Sequence, residues 1–288
     1  ERIRTEGTLM REPLEIDRPC RLLYHHVNST GRKIMFVARI ANPTGQPASA
    51  HVVVAEAGPG KDELGVGHTA TRRFIDQRRT GSGYVLRVPP RSASDFVRVA
   101  CAPDTIVSGL ARIVPLAGPS PLYLEVQAES AYDRDAHEWI EPLSSGEYAS
   151  PKMTAFTFGA GKHEPLTHEV GGSWTFFPLG KEGSTNAAGT YLSGDFGVEH
   201  SIDIDITNPT AQEGRVEIVA RASGGVMRGF FLIDGVLRET GVLTGSRTEV
   251  LEKRTVPPRS DTRIRMTTMP ESASNYPVHI IVLSILKD

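Results

Sequence analysis

Two short strings each occur twice in this chain, in the same order and at nearly the same spacing. Ile40-Ala41-Asn42-Pro43-Thr44 returns as Ile206-Thr207-Asn208-Pro209-Thr210, and Val88-Pro89-Pro90-Arg91-Ser92 returns as Val256-Pro257-Pro258-Arg259-Ser260. Asn42 and Asn208 are 166 residues apart, and Val88 and Val256 are 168 apart. Several matches in register mark a duplicated segment, which makes each half one structural unit. Further upstream, Gly7-Thr8-Leu9 and Gly172-Ser173-Trp174 stand at matching distances and read as a third anchor.

Within each copy the hydrophobic period is two. Ile202, Ile204 and Ile206 alternate with Ser201, Asp203 and Asp205, giving a strand with one buried and one wet face. Ile34, Phe36, Ala38 and Ile40 repeat the pattern less cleanly, as a more buried strand would. The Asn-Pro-Thr and Pro-Pro-Arg-Ser strings read as turns, because proline fixes φ and removes a ladder donor. Short strands joined by such turns predict an all-β fold, two tandem immunoglobulin-like antiparallel β-sandwich domains. One short helix is expected over Thr69–Arg79, an insertion peculiar to the first domain. The expected organisation is a first domain with an N-terminal arm over 1–130, a linker over 131–170, and a second domain over 171–288.

Composition removes several classes of function. Lys+Arg total 32 against Asp+Glu 34, so no broad basic field exists to attract nucleic acid. No apolar run reaches the roughly 18 residues that span a bilayer as a helix. Residue 1 is Glu, which reads either as a processed terminus or as the edge of a fragment. Cys20 and Cys101 lack zinc-ligand spacing. Either they are two separate buried thiols, or they form a disulfide, which would place the protein outside the cytoplasm.

Two strings test for catalysis and fail. His163-Glu164-Pro165-Leu166-Thr167-His168 is one residue too long for a zinc-protease helix, and Pro165 would break it. Gly58-Pro59-Gly60-Lys61-Asp62 lacks phosphate-loop spacing and reads as a charged turn. No GxSxG nucleophile motif occurs. For metals, His25 and His26 with His51 or His68 form one candidate set, although adjacent strand residues point to opposite faces. Asp133, Asp135, His137 and Glu138 form a candidate oxygen-rich set for calcium. The plainer alternatives are packed or solvated histidines and a solvated polar loop. Asn28-Ser29-Thr30 is a formal glycosylation sequon. No cofactor is expected.

The strings Tyr24-His25-His26-Val27-Asn28, Gly58-Pro59-Gly60-Lys61-Asp62, Gly194-Asp195-Phe196-Gly197-Val198 and Phe231-Leu232-Ile233-Asp234-Gly235 resemble a group of uncharacterised bacterial exported proteins with duplicated β-sandwich domains. That resemblance implies an extracytoplasmic location and supplies no catalytic residue. The leading expectation is a non-enzymatic structural, scaffold or adhesion protein whose partner is a protein, either another copy or a cell-envelope component. The arm Glu1–Ile16 would be an extra strand that either completes its own sheet or adds to a neighbour's edge. The alternative is a carbohydrate- or ligand-binding module stacking ligand on Trp139, Trp174, Phe176 and Phe177. A metal-dependent enzyme using the first-domain histidines stands behind both.

Overall fold

The computed structural model describes residues 1–131, 161–185, 191–245 and 247–286. The chain divides into two compact units, Glu1–Gly159 and Ala160–Asp288. The expected all-β sandwich architecture is what each unit shows.

The first unit contains β1 (Arg2–Ile3), β2 (Gly7–Leu14), β3 (Cys20–Asn28), β4 (Ile34–Asn42), β5 (Ala48–Gly60), α1 (Glu63–Arg79), β6 (Tyr84–Val88), β7 (Ser92–Cys101), β8 (Ile106–Ala117) and β9 (Leu122–Ser130). One sheet has the order β1-β3-β8-β5-β6 and the other β2-β9-β4-β7. Alternating side chains fill the space between them: Leu22 and Tyr24 from β3, Phe36 and Ile40 from β4, Leu124 and Val126 from β9. The arm is not loose. β1 lies parallel to β3 and β2 antiparallel to β9, so it completes edges of its own two sheets.

The helix covers the outer face of the first sheet, where Val66 and Ala70 meet Ala57 and Ile106. It starts six residues before the expected Thr69. Asp62 is its N-cap, accepting a hydrogen bond from the Gly65 amide. Gly65 and Gly67 disfavour helix in isolation, but burial of Val66 and a satisfied cap outweigh that preference. Gly58–Asp62 is thus the end of a strand and a helix cap.

The second unit contains β10 (Lys162–Glu169), β11 (Thr175–Leu179), β12 (Ser184–Thr185), β13 (Tyr191–Leu192), β14 (His200–Asn208), β15 (Gly214–Ala222), β16 (Val226–Met227), β17 (Phe230–Ile233), β18 (Val236–Glu239), β19 (Leu243–Thr244), β20 (Thr248–Val256), β21 (Ser260–Thr268) and β22 (Val278–Leu286). Its principal sheets run β10-β14-β21-β17-β18 and β11-β22-β15-β20. The pairing of β4 with β7, of β5 with β6 and β8, and of β3 with β8 recurs as β14 with β21, β15 with β20 and β22, and β11 with β22. Where the first unit inserts α1, the second inserts β16 to β19.

The duplicated strings form the same lock in both copies. Asn42 donates its side-chain amide to the Gln46, Val88 and Pro89 carbonyls, and Asn208 does the same to Gln212, Val256 and Pro257. Thr44 and Thr210 each donate a hydroxyl to that asparagine's oxygen. Arg91 and Arg259 both take left-handed backbone, φ 47° and 52°, so that their amides reach the Thr44 and Thr210 carbonyls. A third version stands at Asn28, whose amide donates to Arg32 and Cys101 while Thr30 donates back.

Several expectations are corrected here. Gly7 opens β2, which joins β9, whereas Gly172 leads into β11, which joins β22 in the other type of sheet; they are not equivalent. Residues 162–169, assigned to the linker by composition, form β10, paired in parallel with β14 over its whole length. The asparagine of the Asn28-Ser29-Thr30 sequon is buried and its amide nitrogen is spent on two carbonyls, so it offers no glycosylation site. Cys20 and Cys101 are free thiols. Cys101 carries the carbonyl bound by Asn28, at the far end of β3 from Cys20, about 26 Å away at 3.3 Å per residue. No disulfide can span that separation.

Candidate ligand-binding face

The outer surface of the β11-β22-β15-β20 sheet carries one apolar row across all four strands. Phe176 stands opposite Ile281, Ile281 opposite Val219, and Val219 opposite Val250. Their side chains share a face because paired residues in a sheet project to the same side. Ile281 and Val219 are buried, whereas Phe176 is 48% exposed. Trp174, just before β11, is 57% exposed, with its ring 6.2 Å from that of Phe176 and tilted by 40°. Phe177 points inward against the core, as alternation requires.

The next row is polar. Pro178 stands opposite His279, and His279 opposite Arg221. Arg221 Nη2 donates to His279 Nδ1 at 3.0 Å, and its guanidinium carbon lies 5.9 Å from the Phe176 ring centre. Burial first, then the Arg221 and Lys181 cations, hold His279 below the ordinary imidazole range. It is therefore neutral at pH 7, with Nδ1 accepting. The result is two exposed rings bordered by a positioned guanidinium, a surface suited to stacking a flat ligand and gripping an acceptor beside it.

The other candidates from the sequence are dispersed. His26 pairs with Val107 and His51 with Val114 on β8, seven residues apart and about 23 Å along the strand. His25 Nε2 lies 3.5 Å from Glu63 Oε1, and His68 is buried within α1. Among the described residues, no three metal-binding side chains converge. Asp133, Asp135, His137, Glu138 and Trp139 lie outside the described residues. His163–His168 is strand, as Pro165 required.

One cluster was not anticipated. Asp195, fully buried with φ 53°, accepts from Ser184 Oγ at 2.7 Å and Lys162 Nζ at 2.6 Å, with His200 Nε2 at 3.3 Å. Burial works to raise its pKa, but the His200, Lys162 and Ser184 hydrogen bonds prevail and hold it below the carboxylate range. Ser184 donates to the carboxylate and not to the imidazole, so the cluster lacks the serine–histidine contact of a nucleophilic triad. The cluster ties β10 to the loop before β14.

No family model matches the sequence, and no curated protein does. Among solved structures, the chain is similar to Lac15 from a marine microbial metagenome, at 13% identity over 93% of this chain and 53% of that one, with a TM-score of 0.16. It spans about half of Lac15. It is also similar to the PBSX exported protein XepA, at 8% identity over 98% and 86% of the two chains, TM-score 0.22. A third is the CBM22-1-CBM22-2 tandem domain of Paenibacillus barcinonensis Xyn10C, at 9% identity over 91% and 80%, TM-score 0.20. At these scores none of the three bears on function.

Proposed function

We propose that the protein is a non-enzymatic carbohydrate-binding protein that works outside the cytoplasm, with the outer face of the β11-β22-β15-β20 sheet as its contact surface. The observation that carries this reading is the exposure of Trp174 and Phe176 side by side on a sheet, where a soluble domain normally shows polar side chains. Support for a location outside the cytoplasm comes from the sequence resemblance alone. Affinity electrophoresis against a panel of soluble polysaccharides tests the reading. Wild-type protein is retarded by at least one of them, and Trp174→Ala with Phe176→Ala weakens that retardation by about tenfold or more, as loss of two stacking contacts requires. Equal retardation of the double variant, or none by any polysaccharide, overturns it.

A second reading, a subunit of a self-associating scaffold, is favoured by β6. This strand is at the sheet edge, with no further neighbour among the described residues, and Tyr84 and Val85 are exposed on it. A strand from another copy would add there. Light scattering of wild type and Val85→Lys tests it: a monomer across the concentration range ends this second reading.

A further inference from the structure

We infer that the saccharide taken by this face is acidic, bearing carboxylate or sulfate groups. This rests on the carbohydrate reading above and adds the ligand's charge. In the same unit Arg215, Arg238, Arg254 and Arg263 each lie against a carboxylate. Arg221 lies against none among the described residues: its contacts are the His279 ring nitrogen and the face of Phe176. Lys181 follows β11 in a turn closed on the Pro178 carbonyl, and its charge reaches His279. Glu217, on the opposite flank of the aromatic row, is already matched by Arg215 and Lys253. The exposed rings are therefore bordered by cations that no carboxylate among the described residues is seen to neutralise.

The geometry also fixes the guanidinium. His279 holds one nitrogen and the Phe176 ring centre lies 5.9 Å from the guanidinium carbon, which leaves the remaining N–H groups as a fork that suits two oxygens of one anion. Arg221 and Phe176 occupy adjacent outward rows, about 7 Å apart along a strand. One sugar ring can thus stack on the aromatics while its acidic substituent meets the arginine.

Matched ligands separate the claims: polygalacturonate against its methyl-esterified form, dextran sulfate against dextran, and polyglutamate as an acidic peptide. At about 20 mM NaCl the wild type is expected to bind one acidic polysaccharide about tenfold more tightly than its neutral counterpart. The preference should shrink at about 500 mM NaCl and in Arg221→Gln or, less strongly, Lys181→Gln. The polygalacturonate and dextran sulfate arms distinguish carboxylate from sulfate. Equal affinity for acidic and neutral forms overturns the inference while leaving carbohydrate binding intact. Polyglutamate binding as tight as the acidic saccharide, or insensitive to Trp174→Ala, also overturns it, because simple ion exchange would then suffice. Binding to no saccharide removes both claims.

Discussion

His26 makes a quantitative test of the first unit's packing. It sits on β3 with 4% exposure, its ring 5.7 Å from Phe36, and burial above all pushes its pKa from 6.5 down to about 3. The unfolded chain binds this proton near pH 6.5 and the folded chain only near 3, so the unfolded state holds more protons throughout that interval. Stability therefore falls as pH drops through 6.5 and levels off below about 3. For one group with those two values, the loss is about 2 kcal/mol by pH 5 and about 4 kcal/mol by pH 3. His26→Gln replaces the titrating ring with a neutral amide. It costs some packing at pH 7, on the order of 1–2 kcal/mol, but it removes the proton linkage. Urea denaturation of both proteins at pH 7 and pH 5 gives four midpoints. The variant should lose about 2 kcal/mol less than wild type on acidification, roughly 1 M urea in midpoint. The contributions of His25, His168 and His279, all held below the usual imidazole range, are common to both proteins and cancel. Equal losses in the two would refute the assignment of the acid sensitivity to His26.

Other outcomes follow from the same contacts. Asn42→Ala and Asn208→Ala each strip hydrogen bonds from three carbonyls and should cost about 2–3 kcal/mol in urea denaturation; a loss below about 0.5 kcal/mol would deny the lock its role. Burial pushes the Cys20 thiol up to about 12 and the Cys101 thiol up to about 11. Iodoacetamide at pH 8 should therefore label neither in the native protein, and both after denaturation without reductant. A single disulfide-linked product would contradict the separation across β3. Asp195→Asn should destabilise by about 3 kcal/mol at pH 7, and Lys162→Met added to it should cost less than the sum of the single changes. Because Asp195 is held below the unfolded value, its contribution is complete above about pH 4 and is lost only below that pH.

The duplication was legible because its signal is local: an asparagine, a threonine two residues on, and a left-handed arginine that closes the turn from the next strand. The same Asn-x-Thr pattern at Asn28 was open to a second meaning, and only burial shows that it is a third lock and not a sugar acceptor. The helix start was hidden by two glycines whose low propensity is overridden by tertiary burial. Pairing of Cys20 with Cys101 was a matter of distance, which spacing along the chain does not encode. Trp174 and Phe176 were recognised as candidates, but Arg221 and His279 beside them were not. Arg221 and His279 are 58 positions apart, and the register of β15 against β22 alone brings them together. The Asp195 cluster likewise joins residues from three strands, β10, β12 and β14, and the turn before β14, which share no motif.

The two sandwiches finish their sheets with chain drawn from different directions. Beside β4 the neighbour is β9, which comes later in sequence; beside β14 the corresponding neighbour is β10, which comes earlier and runs parallel. Excising the second repeat at Gly171, where the homology of the duplicated strings invites a cut, would strip eight backbone partners from β14 and remove the lysine that neutralises Asp195. The compact unit begins near Ala160, so the repeated segment and the packed unit of this half have different first residues.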